Sequence, residues 1–293
     1  MITMNSLAKK IYNLLPLYWQ YQVKHLFQRS IHRSRYTNVF HCTNSRAGGS
    51  WISGILADKR TYYYSGLISF SYDLSLPGQH DPRLITDKII VRPFPPGTVA
   101  TPLHIDYKGY RRIPKRGRTR AVFVLRDPRD LVVSEYFSMR YSHKLMGEVS
   151  RIRHALELLS QEDGIMYILE YLHIYGTYES QRSWIEEGAR DSDVMIIHFS
   201  DIIRTEDLSA WKKMFDHFDV RMPEPVLSGM LEDHSFERMA GGRKTGEEDQ
   251  RAHYRKGKPG DWRNYFSDKI KKRFKLMTGD LLVKLGYEKN DAW

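Results

Sequence analysis

The chain has 293 residues, a formal net charge of +11 and a pI near 9.5. With 41% hydrophobic and 28% charged residues it falls among ordinary soluble globular proteins, and its basic balance favours anionic partners: nucleic acid, acidic membrane or phosphorylated small molecules. Cys42 is the one cysteine, which excludes an internal disulfide and a cysteine zinc cluster and makes a reducing, cytoplasmic compartment the simpler expectation.

In chain order, the first segment is "KKIYNLLPLYWQYQVKHLF". Pro16, Gln20, Gln22, Lys24 and His25 interrupt it, so it reads as an amphipathic helix within an extension over 1–30 that packs on the body. An integral membrane span is not expected, and a peripheral membrane role is the lesser reading. Apolar and β-branched runs predict strands at 36–42, 88–92, 98–103, 120–125 and 194–199. Helical patterns cover 50–58, 128–143, 150–160, 163–188, 206–218, 224–232 and 267–285. The alternation predicts an α/β fold around a mostly parallel central sheet, P-loop-like and flanked by helices. With no repeat or linker, residues 1–293 read as a single domain. Two long loops are expected: 110–120, dense in Lys and Arg without an acid, and 240–262, rich in Gly and charge. The part at 240–260 would act as a lid.

Three stretches could carry chemistry. "TNSRAGGSW" (43–51) runs from a strand into a Gly-containing turn and a helix, an arrangement that offers unpaired backbone N–H groups to an anion. Gly48 and Gly49 permit close approach, Ser50 adds a hydroxyl and Arg46 a forked cation. The bland alternative is a plain turn. In "VFVLRDPRDLVVSEYF" (122–137) a strand ends at Arg126, Pro128 opens a helix, and Ser134 lies two turns on. Arg126 then stands at the carboxyl edge of a strand, where α/β proteins bind ligands. It could equally be salt-bridged to Asp127 or Asp130, with Ser134 in packing. In "YRKGKPGDWRNYF" (254–266), Arg255 and Lys256 beside Gly257 would clamp a doubly charged phosphate, or simply form a solvated basic loop.

Together these stretches resemble the sulfotransferases that use 3′-phosphoadenosine-5′-phosphosulfate (PAPS), over about residues 36–266. The last stretch is similar to the family's "RKGxxGDWKxxF" signature and is the most specific. The middle one resembles "RNxxDxxxSxY", with Asp127 where Asn is common. The first stands in the place of "PKSGTTW", with Ser45, Arg46, Ala47, Gly49 and Ser50 as substitutions and Trp51 retained. The resemblance implies that Arg46, Ser50 and the amides of Ala47, Gly48 and Gly49 bind the 5′-phosphosulfate. Arg126 and Ser134, helped by Arg255, Lys256 and Gly257, would bind the 3′-phosphate. Trp51 would stack on adenine, and "HSFERM" would place Phe236 on its other face with Ser235 nearby. In "IIHFSDI", Phe199 replaces the family's nucleotide-contacting tyrosine, so that contact is absent or supplied elsewhere. His104 in "ATPLHID" lies 22 positions before Arg126, where the family has its catalytic histidine; Pro102 replaces the family's lysine. A neutral imidazole suits a base for a hydroxyl near pH 7.

The implied activity is metal-free, in-line transfer of a sulfuryl group from PAPS to a hydroxyl or N–H, with adenosine 3′,5′-bisphosphate (PAP) as product, His104 as base and Arg46 as the leaving-group cation. No HExxH or comparable metal spacing occurs among the twelve histidines. The absence of an anchor and disulfides points to a soluble enzyme with a small-molecule acceptor. The variant first loop resembles bacterial natural-product-tailoring members, which makes a saxitoxin-type alkaloid one candidate. Tyr62, Tyr63, Tyr64 and the region 141–180 could wall the acceptor. Alternatives are a carbohydrate or lipid hydroxyl as acceptor, a P-loop kinase, for which GxxxxGK[ST] is missing, and a nucleic-acid-binding protein, for which no reader module is present; no nucleic-acid partner is expected. "RNYFSDKIKK" (263–272) ends in Lys where the family's dimer motif has Glu, which leaves the oligomeric state open.

Overall fold

The computed structural model describes residues 14–15, 17–70, 85–86, 89–145 and 147–293. Five strands, β1 (Asn38–Thr43), β2 (Ile68–Phe70), β3 (Thr98–Leu103), β4 (Thr119–Leu125) and β5 (Val194–His198), form one sheet in the order β2-β3-β1-β4-β5, every pair parallel. β1 is central and buried along its whole length, as expected for a parallel strand covered on both faces. Its alternate residues divide the core. Phe40 and Cys42 face one apolar layer with Phe123, Leu172 and Trp184, while Val39 faces the other with Val122, Ile52 and Trp211.

The helices are α1 (Leu17–Phe27), α2 (Gly49–Leu56), α3 (Lys59–Tyr63), α4 (Tyr107–Arg112), α5 (Pro128–Phe137), α6 (Val149–Leu158), α7 (Gln161–Ile174), α8 (Thr177–Glu186), α9 (Phe199–Ile202), α10 (Ser209–His217), α11 (Glu224–Asp233), α12 (Phe236–Met239), α13 (Asp268–Thr278) and α14 (Leu281–Lys284). Several starts are capped as their sequences suggest. Asp127 accepts from the Arg129 amide and Ser160 from the Asp163 amide.

Some expectations are corrected. The strand expected at 88–92 is absent at 89–92, residues 87 and 88 lying outside the described residues; the edge strand is Ile68–Phe70 instead. The helix expected at 163–188 is two, because Gly176 takes a left-handed conformation (φ 74°) between α7 and α8. Gly279 (φ 57°) splits the helix expected at 267–285 in the same way. The basic loop at 110–120 is shorter than expected, since α4 runs to Arg112 and β4 begins at Thr119. Of the N-terminal extension, residues 1–13 lie outside the described residues; α1 packs through His25, whose Nε2 would be 2.7 Å from a Cβ on Gly97.

At the carboxyl end of β3 the ladder with β1 shifts by one residue between Phe40↔Ala100 and Cys42↔Leu103. Pro102 lies in that interval and has no N–H to give the ladder. His41, fully buried on β1, bonds through Nδ1 to the Thr101 hydroxyl (2.7 Å), which in turn meets Ser53 Oγ at 2.7 Å. Burial, with His104 adding, pushes the His41 imidazole down to about 3. Burial also lowers His25, His217 and His253. An unfolded chain takes up protons that these folded imidazoles refuse, so stability is greatest above their ordinary value of 6.5 and falls as pH drops below it. Urea midpoints are expected to decline steadily from pH 7.5 to pH 5 (roughly the window in which free histidine titrates), and His41→Gln should flatten that slope.

Candidate active site

Every candidate residue sits on a segment leaving the carboxyl edge of the sheet or on a loop folded against it. The turn after β1 is tightly constrained. Arg46 has φ 66°, unusual for a residue with a Cβ, and Gly48 has φ 79°. A Cβ on Gly48 would stand 2.5 Å from the Phe199 ring, so glycine is required there. Gly49 then opens α2, whose first turn carries the exposed Ser50 and the buried Trp51.

Two arginines converge on this turn. Arg126, just beyond β4, donates from Nη1 to the Arg46 carbonyl (2.5 Å) and lies over the Phe199 ring at 5.0 Å. Its own carbonyl accepts from Gln181 (2.7 Å). Arg46 places Nε 3.8 Å from Oε2 of Glu135, a residue of α5 that is 1% exposed. The Nε atoms of Arg46 and Arg126 and both carboxylate oxygens of Glu135 are buried without a hydrogen-bond partner among the described residues. Burial lowers the pKa of Arg46, with Arg255 adding and Glu135 opposing. At Arg126 burial again acts first, Arg46 and Arg255 adding and Asp130 opposing. Three guanidinium groups are thus close enough to repel one another, with buried N–H donors unmet. A multiply charged anion relieves both conditions.

Arg255 and Lys256 reach this cluster from the segment 240–260, which folds back on itself. Arg243 donates to the carbonyls of Tyr254 (2.5 Å) and Arg255 (2.9 Å). The clamp is not a bare cation pair. Arg255 bonds Asp261 (2.5 Å) and Glu248, and Lys256 bonds Asp261 (2.6 Å), with Glu248 at 3.5 Å. These partners outweigh burial and raise the Arg255 pKa; the Asp261 hydrogen bond raises that of Lys256. The segment is held by Asp130 of α5, whose two oxygens accept from the amides of Gly260 (2.7 Å) and Trp262 (3.0 Å). Arg129 beside it, 1% exposed, is bonded to Asp127 and lies 3.8 Å from the Trp262 ring centroid.

The aromatic positions also meet. Trp51 donates Nε1 to the His234 carbonyl (2.6 Å) and packs edge-on against Trp211 and Phe199. Two residues later Phe236 lies so close to Gly257 (φ 65°) that a Cβ there would be 2.4 Å from the ring. Ser235 caps α12, its hydroxyl accepting from the Arg238 amide at 3.5 Å. Ser134 is half-buried on α5 beside Glu135. His104, half-buried, bonds through Nδ1 to the Thr43 carbonyl at 3.1 Å. A carbonyl only accepts, so Nδ1 carries the proton and the lone pair of the neutral ring is on Nε2. The base candidate is therefore anchored to the last residue before the Arg46 turn.

The structure accordingly brings Arg46, Arg126 and Arg255 together, joins Trp51 to the Phe236 segment, and hangs His104 from the same strand end. Glu135, Gln181 and Asp130 were not singled out from sequence as site residues. Asp130 and Glu135 lie inside the "RDPRDLVVSEYF" stretch, but nothing in that stretch announces which partner each carboxylate meets. Among the described residues no group of three or more His, Cys, Asp or Glu is placed to hold a metal ion, and no helix is long and apolar enough to cross a membrane.

Comparison with known proteins places this arrangement. Flavonol 3-sulfotransferase of Flaveria bidentis is 23% identical over 273 residues, covering 85% of this chain and 83% of that protein. Sulfotransferase 2A1 of Mus musculus is 23% identical over 226 residues, covering 74% and 68%. The fold is similar to that of mouse sulfotransferase SULT7A1, solved in complex with PAP, with a TM-score of 0.56 and 18% identity over 88% of this chain and 89% of that one. Retinol dehydratase, solved with androsterone and inactive cofactor PAP, gives a TM-score of 0.51 at 15% identity, covering 84% and 80%. The family model described as sulfotransferase domain matches residues 95–286, a span that includes His104, Arg126, the Asp130 tether and the Arg255–Gly257 segment, and the chain belongs to that sulfotransferase family.

Proposed function

We propose that the chain transfers a sulfuryl group from PAPS to a hydroxyl or N–H of a small-molecule acceptor, releasing PAP. The observation that carries this reading is the convergence of three arginines with the unmet Nε donors of Arg46 and Arg126 at the carboxyl edge of the sheet. Those donors suit phosphate and sulfate oxygens. The donor supplies an activated sulfuryl group whose leaving group is a phosphate.

His104 accepts the acceptor proton at Nε2, with the Thr43 carbonyl holding its Nδ1–H and hence its orientation. Arg46 and the amides of Ala47, Gly48 and Gly49, with Ser50, neutralise charge gathering on the departing 5′-phosphate. Arg126 and Ser134, with Arg255, Lys256 and Gly257, hold the 3′-phosphate, and Trp51, Phe199 and Phe236 enclose the base. Because Glu248 and Asp261 already align the Arg255 and Lys256 side chains, little ordering is left for binding. The plant relative, named a flavonol 3-sulfotransferase, supports a small hydroxylated acceptor. A saxitoxin-type alkaloid is the narrower candidate, and a carbohydrate or lipid hydroxyl the alternative.

Three outcomes test this assignment. His104→Ala should lower sulfuryl transfer from labelled PAPS by about 10²–10⁴-fold while PAP still raises the melting temperature. Wild-type transfer in that variant would remove His104 as base. Asp130→Asn should weaken PAP binding about tenfold in calorimetry, through loss of charge-assisted bonds to the Gly260 and Trp262 amides. Glu135→Gln should tighten PAP several-fold by removing a carboxylate that competes for Arg46, whereas Arg46→Lys should lower turnover roughly tenfold or more. Unchanged behaviour in both would show that the Arg46–Glu135 pair is incidental.

A further inference from the structure

The amino edge of the sheet, opposite the donor site, has a composition that sulfuryl transfer does not explain. Residues 1–57 contain no Asp or Glu, and neither do residues 107–126. The fold brings these two acid-free stretches together. The Thr37 amide donates to the Arg118 carbonyl (2.7 Å), and the Thr37 carbonyl accepts from Gly97 (2.7 Å), the residue on which His25 of α1 packs. Arg33 lies over Gly66, near enough to His25 that, after burial, its charge is the next cause lowering that imidazole. Arg35 and Arg120 flank the Tyr36 ring at 5.6 and 4.8 Å and, with Arg118, line a cavity of about 310 Å³.

Several acids at this end are engaged: Asp193 with Arg120, Asp191 with Arg111, and Asp219 with His32, Arg35 and Arg221. Arg33, Arg116 and Arg118 are exposed and have no carboxylate partner among the described residues. Large apolar side chains are exposed on α1 and on the segment that joins it to Arg33. Trp19 is 56% exposed, Leu26 80% and Ile31 64%. Leu26 and Ile31 bracket the turn that leads from α1 to Arg33, and the Ile31 amide is fixed to the Tyr63 carbonyl at 2.9 Å.

We propose that this amino-edge face docks on an anionic lipid bilayer, with Trp19, Leu26 and Ile31 entering the headgroup–acyl boundary and Arg33, Arg116 and Arg118 meeting the lipid phosphates and carboxylates. A nucleic acid would use the cations but gains nothing from exposed Leu and Ile, which cannot stack on bases. A bilayer interface rewards both kinds of side chain at once. Docking by the amino edge leaves the carboxyl edge, and with it the donor site, facing solvent. It is independent of which acceptor the enzyme uses.

The test is co-sedimentation with phosphatidylcholine vesicles made with and without phosphatidylserine. Wild-type protein should bind the phosphatidylserine vesicles, less as salt rises, and bind pure phosphatidylcholine weakly. The triple variant Arg33→Gln, Arg116→Gln, Arg118→Gln should lose about a hundredfold in vesicle affinity, since each cation near the leaflet contributes about fivefold. Leu26→Ser with Ile31→Ser should also weaken binding. Both variants should keep the PAP-induced rise in melting temperature, which shows that they are folded. If the triple variant does not fold, Arg116→Gln and Arg118→Gln, in the exposed loop before β4, are measured singly and each should lose about fivefold. Absence of wild-type binding to phosphatidylserine vesicles, equal binding by the charge variants, or binding of an RNA or DNA oligonucleotide in place of vesicles would overturn the proposal.

Discussion

The site depends on one carboxylate that touches no ligand position. Asp130 lies in the first turn of α5 and receives the amides of Gly260 and Trp262, the two neighbours of Asp261. Hydrogen bonds to a buried charge contribute about 1.5–3 kcal/mol each, enough to choose one loop position among several. That tether joins a helix fixed to the central sheet with a segment of no regular structure. Through it Arg255, Lys256 and Gly257 acquire a defined place opposite Arg126 and Phe236. Arg129 strengthens the same junction by filling the space between Asp127 and the Trp262 ring.

Around that tether the charges are balanced unevenly. Asp261 and Glu248 neutralise the outer cations and hold Arg255 and Lys256 in place. In the inner pair, Arg46 has Glu135 at 3.8 Å and Arg126 bonds the Arg46 carbonyl, yet the Nε donors of both stay buried and unmet among the described residues. The gradient runs from satisfied at the rim to unsatisfied at the centre. The unmet donors therefore lie beside the turn after β1, where Arg46 and Gly48 take positive φ, the backbone geometry of the proposed anion site.

The sheet also separates two kinds of basicity. At its carboxyl edge the arginines are buried and framed by carboxylates and aromatic rings. At its amino edge Arg33, Arg116 and Arg118 are exposed, as are Leu26, Ile31 and Trp19 on α1 and the segment after it. A net charge of +11 is therefore not one property but two, and only the first belongs to sulfuryl transfer.

The sequence by itself determined the parallel α/β architecture, because apolar periodicity of two and of 3.6 is local and survives without knowledge of contacts. It also determined the family and marked the three stretches proposed to bind the donor, since their turn residues and cations are contiguous. What it could not determine was the edge strand Ile68–Phe70, too short to show a period, or the breaks at Gly176 and Gly279, where a single left-handed residue ends a pattern that is helical on both sides. Tertiary structure alone decided that Glu135 faces Arg46, that Asp130 holds the Gly260 turn, and that Arg33 and Arg118 share one face. Each of those pairings spans some 80 to 130 residues of chain, and side-chain charge carries no label for a partner that only the packed sheet brings near.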